Sequence, residues 1–300
     1  MYRRRLLVVV VVLVLTAACS TSNGGGSTTA TAAAPTTTAA AAATTTTADA
    51  LQVALSLSYT VDRSTQLDIF APREPGPWPV VIIIPGAFQS RWAYEFLAKA
   101  IASEGAVVFN VGVTMRDPFP EATEQVACAV RFAKATAADY GGDATEITLV
   151  GHSAGAATGM VVAMAGDSYA QDCVVTDESA VLDVLVGYEG PYDWATQDYS
   201  RINLVPLREE DPDEWEAINP YAHIGGNPDL VVRLIHGDDL NVAWYEVPRD
   251  VSVDFNQVLF EAGYDVELTL LEGADHGALL SPGSEAVDVT VQLALQSGRG

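Results

Sequence analysis

One stretch constrains this chain more than any other. Ile147-Thr-Leu-Val150 is a short β-branched run that ends abruptly in Gly151-His-Ser-Ala-Gly155, and a run of small residues continues to about Ala165. The first run reads as a strand and the second as a helix. A chain that passes from strand to helix through five residues must turn sharply. Glycines two positions either side of Ser153 remove the Cβ atoms that would hold the two elements apart. Ser153 is therefore expected on a strained turn, its hydroxyl projecting beyond the strand end. The N–H of Ala154 opens the helix and faces the place where an oxyanion would form.

The rest of the chain supplies a frame for that turn. Val53 to Val61 and Gln66 to Ala71 alternate like antiparallel strands. Pro79 to Ile84 and Ala106 to Val111 are continuous apolar runs, as expected of strands buried on both faces. Val181 to Tyr188, Leu230 to Ile235 and Val266 to Leu271 complete the strands. Helical period appears in Arg91–Glu104, Pro120–Tyr140, Val251–Ala262 and Ser284–Gln296. Strands alternating with helices predict an α/β fold, a mainly parallel sheet with helices on both faces. An irregular excursion, Trp194 to Pro228, precedes the strand at Leu230. Chemistry in such sheets lies beyond the carboxyl ends of the strands. Five short segments fall there: Pro85-Gly-Ala-Phe88, Gly151–Gly155, Glu189-Gly-Pro-Tyr-Asp193, His236-Gly-Asp-Asp239 and Gly273-Ala-Asp-His276.

The first fifty residues read differently. Arg3-Arg-Arg5, the apolar run Leu6–Leu15 and Thr16-Ala-Ala-Cys19 have the layout of a signal peptide over residues 1–19. Its apolar core is too short to span a bilayer. Ala17-Ala-Cys19 resembles a lipobox, which would make Cys19 a lipidated N-terminus. Residues 20–50 are almost wholly Thr, Ala, Ser and Gly and are expected to form a disordered tether. Residues 51–300 are apolar enough for one sizeable core and are expected to form a single domain. The 39 acidic residues against 15 basic ones argue against nucleic-acid partners, and a membrane is expected only through the lipid anchor. With Cys19 lipidated, Cys128 and Cys173 are left as an even number in an oxidising compartment and are expected to pair. No Cys/His cluster has metal-ligand spacing, so no metal and no cofactor is expected.

A serine hydroxyl is a poor nucleophile until a base takes its proton. The chain has four histidines. His152 lies inside the turn, its side chain directed away from Ser153. His223 lies in the irregular excursion, and His236 reads as a structural residue. His276, in the loop after the last strand, is the candidate base.

These features together resemble the α/β-hydrolase family, in its secreted carboxylesterase, lipase and feruloyl-esterase-like branch. The phrases that carry the resemblance are Leu67-Asp-Ile-Phe-Ala-Pro72, Pro79–Gly86, Tyr140-Gly-Gly-Asp143, Gly151–Gly155, Ile235-His-Gly-Asp-Asp239 and Glu272-Gly-Ala-Asp-His-Gly277. The resemblance implies a Ser–His–Asp hydrolase that cleaves small-molecule or lipid esters through an acyl-enzyme. It implies that the N–H of Ala87 donates to the oxyanion beside that of Ala154, with Phe88 the alternative to Ala87. Counting back from Val242 puts the acid at Asp239, with Asp238 the runner-up and Asp193 third. Phe88, Trp92, Tyr192 and Trp194 follow strand ends and are pocket candidates. Two other readings stand beside the esterase one: a peptidase or amidase with the same triad, and a non-catalytic surface-binding lipoprotein that keeps the fold.

Overall fold

The computed structural model describes residues 50–114, 119–193, 208–238 and 247–296. Eight strands form one sheet in the order β1-β2-β4-β3-β5-β6-β7-β8. They are β1 (Leu51–Ser58), β2 (Gln66–Pro72), β3 (Trp78–Ile84), β4 (Val107–Val111), β5 (Gly142–His152), β6 (Val184–Tyr188), β7 (Val231–Gly237) and β8 (Asp265–Leu271). β2 pairs antiparallel with β1 and β4, and every other pairing is parallel.

Helices cover both faces because both faces are apolar. In β3, Val80, Ile82 and Ile84 enter one core while Val81 and Ile83 enter the other. α2 (Phe119–Thr136), α3 (Ala154–Ala165) and α5 (Arg249–Glu261) close the first core. α1 (Glu95–Ser103) and α6 (Glu285–Leu295) close the second. α3 is buried on every side from Ala154 to Met164, which suits a helix built of alanine, glycine, valine and methionine. The Cys128–Cys173 disulfide joins α2 to the segment after α3, where Cys173 also bridges Thr60.

The structure adjusts several expected elements. Arg91–Tyr94 is a 3-10 turn, and the α-helix starts only at Glu95. β1 stops at Ser58 rather than Val61. β6 begins at Val184 rather than Val181, because the Asp183 carboxylate, not a strand carbonyl, accepts the Ile147 N–H at 2.8 Å. The excursion before β7 contains a helix that periodicity missed, α4 (Pro212–Ala217). Its signal was local. Asp211 caps Glu214 N–H at 2.9 Å and Pro212 occupies the first turn.

Candidate active site

The turn between β5 and α3 has the expected strain. Ser153 sits at φ 54, ψ −124, and its N–H donates to Tyr188 O on the neighbouring strand at 2.8 Å. The flanking glycines are sterically required. A Cβ on Gly151 would lie 2.6 Å from Ala156 Cα, and one on Gly155 would lie 2.4 Å from Pro85 O. Ala154 is the first residue of α3, so its N–H has no intrahelical acceptor.

The loop after β3 packs against this turn. A Cβ on Gly86 would stand 3.2 Å from Ser153 Cβ. The Gly86 N–H donates to Tyr94 Oη at 3.0 Å, and Gln89 N–H closes the loop onto Gly86 O at 3.2 Å. Ala87 therefore lies in a loop held beside Ser153. Phe88 follows at φ 62 and is 60 % exposed.

His276 reaches the same place from the loop after β8. Tyr188 is the common anchor, because its carbonyl accepts the Ser153 N–H while its hydroxyl donates to Asp275 O at 2.8 Å. Burial pushes the Tyr188 phenol well above its ordinary range, so it remains a donor. His276 Nδ1 donates to Glu189 Oε2 at 2.6 Å, and both side chains are buried. The other carboxylate oxygen, Oε1, accepts the Gly237 N–H at 2.9 Å.

The topology explains this pairing. Glu189 directly follows β6, whereas His276 follows β8, and β7 runs between them. The glutamate side chain is long enough to cross the end of β7, and Gly237 leaves the crossing open. A Cβ there would stand 2.9 Å from Glu189 Oε1 and 2.2 Å from Ala274 O. Glu189 is itself at φ 46, with its N–H donating to Ile235 O at 2.9 Å.

The structure puts a carboxylate on His276 that was not among the expected acids. The carboxylate on His276 Nδ1 belongs to Glu189, not to the runner-up Asp238, which is exposed and accepts the Gly273 N–H at 2.5 Å. Asp239 lies outside the described residues, as do Trp194 and Cys19. Glu189 opens a strand-end segment that the sequence singles out, but only its last residue, Asp193, was weighed as an acid. The available signal was a carboxylate immediately beyond a buried strand.

The pocket candidates separate. Trp92 is 67 % exposed, with the Arg91 guanidinium over its ring at 5.1 Å. Tyr192 lines no open surface. It is fully buried and stacked on Phe255 at 4.5 Å between centroids, because Gly187 and Gly190 make room for its ring. His223 and His236 are structural. His223 Nε2 donates to Ala217 O, and His236 bonds Ser252 Oγ and Val247 O. Among the described residues no group of three or more His, Cys, Asp or Glu could hold a metal ion.

A mainly parallel eight-stranded sheet, with a strained serine at its central strand-to-helix turn, defines an α/β-hydrolase. More narrowly, residues 67–259 match the BD-FAE family, an esterase family of this fold, and the chain belongs to it. Gut esterase 1 of Caenorhabditis elegans is 32 % identical over 148 residues, which cover 43 % of this chain and 26 % of that protein. Esterase LipQ of Mycobacterium tuberculosis is 25 % identical over 221 residues, covering 67 % of this chain and 51 % of that protein. The chain thus spans about a quarter and about half of these two relatives. Among solved structures, the butyrate-bound esterase Est2 of Thermogutta terrifontis superposes with a TM-score of 0.65 at 20 % identity, over 81 % of this chain and 91 % of that one.

Proposed function

We propose that this protein is an exported serine hydrolase that cleaves carboxylic esters through an acyl-enzyme, with Ser153, His276 and Glu189 as its triad. Residues 51–300 are its catalytic domain. The observation that carries the reading is the buried His276–Glu189 pair, 2.6 Å long, in a loop that Tyr188 ties to the turn holding a serine at φ 54. Ser153 Oγ attacks the ester carbonyl while His276 Nε2 takes its proton. Glu189 holds Nδ1–H, which fixes the tautomer and stabilises the imidazolium that forms. The N–H groups of Ala87 and Ala154 receive the oxyanion. Collapse expels the alcohol, which takes the proton from His276, and water then releases the acid by the same steps. Family membership and the butyrate-bound neighbour favour a small-molecule ester.

The same neighbour is known phosphonylated by sarin, which suggests the test. A fluorophosphonate probe should label the parent and not Ser153→Ala, and a chromogenic short-chain ester should be turned over only by the parent. Labelling that persists in Ser153→Ala would place the nucleophile elsewhere. Turnover of an aminoacyl anilide in preference to the ester would make the enzyme an amidase.

Export rests on separate observations. Residues 1–19 have the layout of a signal peptide, and the Cys128–Cys173 disulfide suits an oxidising compartment. Lipidation at Cys19 would anchor the domain through the tether of residues 20–50. Among the described residues no helix is long and apolar enough to cross a membrane. Cys19→Ser should move the protein to soluble fractions or block processing, and membrane retention at mature size would contradict the anchor.

A further inference from the structure

We infer that His152, the residue before the nucleophile, is a positioning residue that ties the loop carrying Ala87 to the loop carrying His276. The inference rests on the hydrolase reading above and gives a role to a side chain which that mechanism leaves unused. His152 is buried among the rings of Tyr94, Tyr188 and His276, at centroid distances of 5.9, 5.6 and 4.8 Å.

Donor chemistry fixes the direction of every bond in the cluster. His152 Nε2 lies 2.9 Å from His276 O, and a carbonyl only accepts, so Nε2 carries the proton. In the neutral ring Nδ1 then accepts, and its partner at 2.5 Å is the Tyr94 hydroxyl. Tyr94 Oη in turn accepts the Gly86 N–H. The chain runs Gly86 N–H to Tyr94 O–H to His152 Nδ1, and from His152 Nε2–H to His276 O. It joins the three segments that hydrolysis must align: the loop carrying Ala87, the turn carrying Ser153, and the loop carrying His276. Burial, with His276 second, holds the His152 ring near a pKa of about 3, in keeping with this neutral form.

A side chain without both functions breaks the chain at a known point. Leucine would leave the Tyr94 hydroxyl and His276 O buried without their partner. Glutamine keeps an N–H that can reach His276 O. Tyr94→Phe removes the link to Gly86 and leaves the His276 contact in place.

The experiment compares His152→Leu, His152→Gln and Tyr94→Phe with the parent by kcat and KM on a short-chain p-nitrophenyl ester. Folding is checked by melting temperature, and the downfield His276 Nδ1 proton is followed by NMR. Misalignment on this scale should lower kcat of His152→Leu by between about ten- and hundredfold with little change in KM. His152→Gln should recover part of that loss, Tyr94→Phe should lose less, and the His276 proton resonance should move in His152→Leu. A folded His152→Leu enzyme with kcat within about twofold of the parent overturns the inference, because a misplaced triad costs far more. Equal losses in the Leu and Gln variants also overturn it, since the ring would then act by packing alone. If His152→Leu does not fold, the other two variants decide by the same criteria. Ser153→Ala is measured in parallel. Turnover surviving there defeats the hydrolase reading itself, whereas loss there with a normal His152→Leu defeats only the positioning role.

Discussion

The two halves of the candidate site are built by different means. The Ser153 half is local: a strand, five residues and a helix, with Gly151 and Gly155 within van der Waals reach of the backbone they admit. The His276 half is assembled from three strand ends, with Glu189 beyond β6, Gly237 at the end of β7 and His276 beyond β8. A local device is fixed by neighbouring residues and can be exact in any context that supplies a strand. A distributed one is fixed by strand order, so its members declare themselves only once the sheet is assembled.

The contrast can be broken at either half. The largest effect belongs to the local one, where Ser153→Ala should lower ester turnover by up to about 10⁶ without shifting the melting temperature. Comparable turnover in parent and variant would remove the turn from the chemistry.

Next comes the brace behind it. The disulfide closes a loop of sequence separation 45 around the β5–α3 unit, so Cys128→Ser with Cys173→Ser should cost about 3–4 kcal/mol in denaturant unfolding while leaving kcat of the folded enzyme nearly unchanged. A stability equal to the parent's would show that the bond constrains nothing.

Gly237→Ala probes the distributed half. The added methyl meets Ala274 O and Glu189 Oε1, so turnover should fall by about ten- to hundredfold as the carboxylate is displaced from His276. Unchanged kcat would mean that Glu189 does not need this crossing.

The last effect is a pH slope in stability, read unit by unit and not as a loss of turnover. His152 stays neutral in the fold down to about pH 3, whereas an unfolded histidine takes up a proton near 6.5. Its folded pKa is the lower one, so its contribution is complete above pH 6.5 and is lost as pH falls toward 3. The loss is at most about 1.4 kcal/mol per pH unit. Unfolding of His152→Gln should depend less steeply on pH over that window, and an identical slope would show that the ring is protonated in the fold.

What the sequence reveals follows the same division. The strand runs, the two-faced sheet and the strain at Ser153 are all written in adjacent residues, through β-branched runs, small residues and paired glycines, whereas the disulfide partners follow from the cysteine count. α4 was legible too, in Asp211-Pro212, although the apolar period was not. The Glu189–His276 pair was not legible by counting along the loop after β7, because that count looks only beyond one strand. The feature that admits Glu189 is an absence, the missing side chain of Gly237, and an absence acquires meaning only when β6 and β8 are known to flank it. Tyr192 misled for a related reason. Its position after a strand end suggests a pocket, but Gly187 and Gly190 draw its ring into the core.

The assignment of the acid can be decided by one comparison, ester turnover of Glu189→Gln against Asp239→Asn, each with its melting temperature. Glutamine keeps the shape of Glu189 but cannot stabilise the His276 imidazolium, so kcat should fall by up to about 10⁴ while Asp239→Asn stays near the parent. A folded Glu189→Gln enzyme with near-parental kcat, beside an inactive Asp239→Asn, would contradict the triad proposed here.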